Sequence, residues 1–126
     1  MINIEFTDNF NGVHIAMGGD VRAQELLEIK HQICREEKLP QLKYQLFDST
    51  LVENYWITLD DIKQFARVDL ATWQINPDIA TLIVSPNKAI DTWASIWQDH
   101  IGDNIYQTER FSSKSDALSW IKAYIN

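Results

Sequence analysis

The sequence predicts an α/β domain, a mixed β-sheet of about five strands with about four helices. Three observations predict it. Two alternating apolar segments flank an Asn-Gly pair near the start, residues 79–84 form a nearly unbroken apolar run, and between and beyond them helical apolar stripes alternate with short strands. A hairpin followed by alternating helices and strands makes the later strands parallel, joined by right-handed crossovers.

Ile2, Ile4 and Phe6 alternate with Asn3 and Glu5, and Val13, Ile15 and Met17 alternate again after Asn11-Gly12. This reads as a β-hairpin with a longer loop than the two-residue type. Gly18-Gly19-Asp20 reads as the end of the second strand with Asp20 as a helix cap. The first helix then buries Ala23, Leu26, Leu27, Ile33 and Cys34 and runs to Lys38, before Pro40.

A short strand, Tyr44 to Phe47, is expected to end at Asp48, with the polar stretch Ser49 to Tyr55 as a surface loop. Thr58, with Asp61 three residues on, caps a second helix whose buried stripe is Leu59, Ile62, Phe65, Ala66, Leu70 and Trp73. Asn76-Pro77 closes it. The run Ile79 to Val84 has the composition of a strand covered on both faces, central in a parallel sheet. Ser85-Pro86 opens a third helix presenting Ile90, Trp93, Ala94, Trp97 and Ile101 until Gly102 stops it. A strand at Asn104 to Thr108 follows. Ser113 with Asp116 caps a last helix burying Ala117, Leu118, Ile121 and Ile125, with Trp120 and Tyr124 beside that face.

The chain of 126 residues fits one domain spanning 1–126, and its 45% apolar and 23% charged content is that of a globular protein. A net charge of −7 without a basic run disfavours nucleic acid and anionic lipid surfaces as partners. Cys34 is the single cysteine, so no internal disulfide forms and a reducing, cytoplasmic location is expected. The first ten residues lack a secretory pattern, and no apolar stretch approaches the roughly 20 residues of a membrane span.

The order of elements is similar to that of the SpoIIAA-like, or STAS/CRAL-TRIO-like, family. The likeness rests on Val13 to Asp20, on Tyr44 to Asp48, on the strand ending Val84-Ser85-Pro86, and above all on Glu109-Arg110-Phe111-Ser112 leading into Ala117-Leu118-Ser119-Trp120-Ile121. These are packing and turn positions, so the resemblance speaks to fold more than to activity. It implies either a regulator that binds a protein partner and is switched by phosphorylation, or a lobe that holds a lipid or another apolar molecule.

In anti-anti-sigma regulators a phosphorylated serine follows a strand-ending aspartate, and Asp48-Ser49-Thr50 is the matching stretch here. A phosphate on Ser49 would add about −1.5 to −2 charge beside Asp48. The family's following glycine is missing, and the plain alternative is a turn in which Asp and Ser bond nearby backbone. Trp56, Trp73, Trp93 and Trp97 are the second candidate set: Trp93 and Trp97, one helical turn apart, either line a ligand cavity or pack the core, while Trp56 and Trp73 flank the second helix and are expected to stay partly exposed.

Other combinations carry less. His31 and Cys34 have no second pair to complete a metal site and read as an exposed histidine beside a buried thiol. Asp60-Asp61 and Glu36-Glu37 are adjacent pairs that point apart on a helix, and the glycines match no phosphate loop. No catalytic residue, metal or cofactor is therefore implied. The leading expectation is a non-enzymatic module that recognises a protein partner through Asp48 to Trp56 and the start of the next helix. The alternative is a carrier or sensor of a lipid or other apolar molecule held near Trp73, Trp93 and Trp97, with transient membrane contact as an extension, and homodimerisation is left open.

Overall fold

In a computed structural model that describes residues 1–86, 89–102 and 106–125, the chain forms one five-stranded sheet in the order β1-β2-β3-β4-β5. The strands are β1 (Ile2–Phe6), β2 (Gly12–Arg22), β3 (Tyr44–Trp56), β4 (Ala80–Val84) and β5 (Thr108–Phe111), and the helices are α1 (Ala23–Cys34), α2 (Leu59–Ile75), α3 (Ala89–Ile101) and α4 (Lys114–Ile125). β1 pairs with β2 antiparallel, as the hairpin pattern requires. The remaining neighbours are parallel.

This order decides where the helices go. Each parallel strand is laid beside the previous one in the same direction, so right-handed crossovers place α1, α2 and α3 on one face. Only α4, after the last strand, folds back over the other. Strand alternation sorts the side chains accordingly. Ile15, Phe47 and Ile83 are in register on the three-helix face, with His14, Leu46 and Leu82 on the other. The larger core gathers Val13, Ile15, Leu26, Ile33, Phe65 and Trp73, and the smaller one Tyr44, Leu46, Leu82, Val84, Ala117 and Ile121. The apolar run at 79–84 is buried from both sides as its composition demanded, with Ile79, Ala80, Leu82 and Val84 fully inaccessible.

Local rules hold at several boundaries. Thr58 and Asp61 form a complete capping box, with Thr58 Oγ1 accepting from the Asp61 amide and the Asp61 carboxylate accepting from the Thr58 amide. Ser113 Oγ accepts from the Asp116 amide at the start of α4. Buried Asn76 closes α2 by donating to the carbonyls of Leu39 and Leu42.

Other expectations are corrected. Gly18-Gly19-Asp20 does not end β2, and Asp20 caps nothing: Arg22 precedes α1 without a side-chain cap. Gly19 takes a φ of +63°, the left-handed region that favours glycine, and the strand continues past it with a shift of register against β3. α1 stops at Cys34, not Lys38, and Cys34 and His31 are both half-buried. Leu59 and Leu118 point to solvent instead of the core. The last strand is Thr108–Phe111 and not 104–108; Asn104 and the side chain of Ile90 lie outside the described residues.

The largest correction concerns β3. It does not end at Asp48, and Ser49 to Tyr55 is no loop: the strand runs 13 residues to Trp56. β4 accompanies it only to Asp48, whereas β2 accompanies it to the end. The result is a two-stranded parallel ribbon, residues 18–22 and 49–56, reaching past the body of the sheet. Asn54 Nδ2 ties it across to Asp20 Oδ1 at 2.9 Å. A polar, partly solvated ribbon has the composition of a loop, which is why the pattern misleads.

Candidate functional site

Two places stand out, the outer side of this ribbon and a cleft beneath it. On the outer side, Leu51 is 75% exposed, Trp56 57% and, at the first residue of α2, Leu59 60%. The Arg22 guanidinium lies over the Trp56 ring, 5.7 Å from its centroid. Asp20, Glu53 and Asp60 are exposed on the same segments, with Arg22 as the exposed base among them, so carboxylates predominate around the apolar residues.

The cleft lies between the sheet and α1, α2 and α3, opens to solvent and holds about 130 Å³. Phe47, Tyr55, Phe65, Trp93 and Trp97 line it, with Lys30 and Asp69 among them. One carboxylate joins all three helices. Lys30 Nζ of α1 donates to Asp69 Oδ1 and Oδ2 of α2 at 3.0 and 2.9 Å, and Trp97 Nε1 of α3 donates to Oδ2 at 2.9 Å. The Lys30 and Asp69 side chains are only 10% and 5% exposed. The Lys30 ammonium also sits 4.5 Å from the Phe47 ring centroid, a cation–π contact that offsets part of its lost hydration.

The structure separates the residues of the Asp48-Ser49-Thr50 stretch. Ser49 is inside β3, 4% exposed, and its Oγ donates to the Val84 carbonyl at 2.6 Å. Burial pushes the phenol of Tyr55, further along the same strand, above its ordinary value. Thr50 is the exposed hydroxyl, and Asp48 Oδ1 accepts from both its amide and its side chain.

The four tryptophans divide as well. Trp93 and Trp97 do line the cleft, Trp93 meeting Tyr55 edge-on at 4.8 Å. Trp56 is exposed, at the end of β3 where residues 57 and 58 lead into α2. Trp73 is not partly exposed: it is 1% accessible, stacks on Tyr106 at 4.4 Å and donates from Nε1 to the Ile79 carbonyl at 3.4 Å. Sequence reasoning missed Lys30 and Asp69. Asp69 falls between Ala66 and Leu70 on the apolar stripe of α2, and a carboxylate on a buried stripe was the available signal.

On the opposite side, His14 Nε2 and the Tyr44 hydroxyl are 2.9 Å apart. Burial and then Lys114 lower the His14 pKa, opposed by Glu5 and Asp48, and burial raises that of Tyr44. No group of three or more metal-ligating side chains occurs among the described residues.

Comparison with solved structures shows the fold expected from the sequence. The anti-sigma factor antagonist SpoIIAA in its unphosphorylated form matches with a TM-score of 0.63 at 9% identity, covering 97% of this chain and 98% of that one. An uncharacterised protein of the DUF3478 family from Shewanella loihica PV-4, described as having a SpoIIAA-like fold, matches with a TM-score of 0.56 at 16% identity over 95% of this chain and 91% of that one. The chain therefore has a SpoIIAA-like α/β fold. No protein-family model and no curated protein matches the sequence. Among the described residues no helix is long and apolar enough to cross a membrane.

Proposed function

We propose that the protein is a non-enzymatic regulatory module that docks a protein partner on the outer side of the β2–β3 ribbon and the first turn of α2. The observation that carries this reading is the exposure of Leu51, Trp56 and Leu59 within nine residues of chain. Large apolar side chains so placed have the composition of an interface centre, and tryptophan is the residue most often dominant there. The acidic surround selects a partner whose apolar patch has a basic rim. SpoIIAA, whose fold the chain shares, is named as an antagonist of an anti-sigma factor, a role exercised on another protein. Asp48 and Thr50 lie on the same segment, where Thr50 offers the accessible hydroxyl.

A lipid carrier has less support. The cleft of about 130 Å³ falls well below the roughly 300–1,000 Å³ of sites for drug-sized ligands.

A photo-crosslinking residue placed at Leu51 should give one defined protein adduct in cells, lost when Trp56→Ser is added and weakened at high salt. The same residue at Leu118, on α4, should not give it. Equal adducts from both positions, or an adduct indifferent to Trp56→Ser, would count against the ribbon as the docking surface.

A further inference from the structure

The cleft under α3 is a second feature, separate from the ribbon's outer side. Its polar groups are already committed: Lys30 to Asp69, Asp69 also to Trp97, Ser49 to the Val84 carbonyl, and Thr81 as acceptor from Gln45 Nε2 at 2.8 Å. Among the described residues no buried side-chain nitrogen or oxygen lacks a partner. A bound water needs two to four polar partners, and the mostly apolar lining of this cleft offers few that are uncommitted. A charged ligand finds no unopposed charge, since Lys30 and Asp69 neutralise each other at 2.9 Å. What fits is flat and apolar, because aromatic walls meet another ring edge-to-face or offset-stacked at close range.

We propose that this cleft is a binding site for a neutral, single-ring aromatic molecule, held between Phe65 of α2 and Trp93 and Trp97 of α3. The proposal does not depend on what the ribbon binds. Occupancy places the ring among the walls without breaking the Lys30–Asp69–Trp97 network.

Toluene is the probe, followed by the indole N–H signals of the intact chain in two-dimensional NMR. The Trp93 and Trp97 signals are expected to move saturably, with Trp120, which packs on Phe111 and Tyr124 across the sheet, unmoved. Ala94→Leu from the helix side and Ile83→Phe from the sheet side fill the space and should each weaken toluene about tenfold or more, in variants whose thermal melts confirm folding. Two fillers from opposite walls keep the test intact if one of them fails to fold. No saturable change at Trp93 and Trp97, or wild-type affinity in a folded filler variant, overturns the site. Equal binding of hexadecanoate at the same two signals overturns the single-ring assignment.

Discussion

The two faces of the sheet are built on different principles. Under α4 the core is small and mostly aliphatic, with Leu46, Leu82 and Val84 meeting Ala117 and Ile121. Under α1 to α3 it is larger, adds Phe47, Phe65 and Trp73 to its aliphatic residues, contains a nearly buried ion pair and leaves a cleft. Close-packed aliphatic contact serves stability alone. A face that accepts an unfilled space and two desolvated charges gives up stability there, and the polar network fixes how three helices sit relative to one another. The difference is why the proposed ligand site lies on the three-helix face.

The largest expected effect tests the ion pair. Asp69→Ala strands the Lys30 ammonium and the Trp97 N–H together and should cost about 3–5 kcal/mol in denaturant unfolding. The double change Lys30→Met with Asp69→Leu removes the need for pairing and should return close to wild-type stability; a loss as large as that of Asp69→Ala would show that the charges themselves hold the helices. On the α4 face, Leu82→Ala should cost about 3 kcal/mol, with the toluene response at Trp93 and Trp97 unchanged. A changed response would mean that the two faces are not independent.

Gly12→Ala probes the same face at its edge. A Cβ at Gly12 would overlap the Tyr44 ring, so the expected cost is about 2 kcal/mol, measured by thermal unfolding. Unchanged stability would mean that the ring yields freely.

The smallest effect is one of pH. The neutral form of His14 is favoured in the fold, so its lowered pKa contributes stability that is present above the ordinary value of 6.5 and is lost as pH falls from there through the folded value. Melting temperatures measured from pH 8 to pH 5 should fall less for His14→Gln than for the wild type. An identical slope would place the acid sensitivity elsewhere.

Much of this fold was legible because local patterns and tertiary environment agree. The alternation of Ile2, Ile4 and Phe6, the apolar run ending at Val84, the Thr58 box and the Ser113 cap each act over a few residues, and each appears in the structure. The candidate surface was legible only as a stretch of chain. Asp48 to Trp56 stands out for its residues but has the pattern of a loop, because Ser49, Thr50, Glu53 and Asn54 lack the apolar alternation of a half-buried strand. Its strand character comes from pairing with β2, a partner distant in sequence. Trp73 failed in the opposite direction: proximity to a helix end suggested exposure, whereas Tyr106 and Trp97 enclose it.

The sequence by itself determined the number and order of the elements, the parallel character of the later strands and the burial of β4 on both sides, since these follow from periodicity, capping and the handedness of crossovers. Only the tertiary structure decided that β3 outruns β4, that Ser49 is enclosed while Thr50 is not, and that Lys30, Asp69 and Trp97 meet over a cleft. Those three side chains are separated by 39 and 28 positions, and their meeting depends on how three helices share one face of the sheet, which no local pattern encodes.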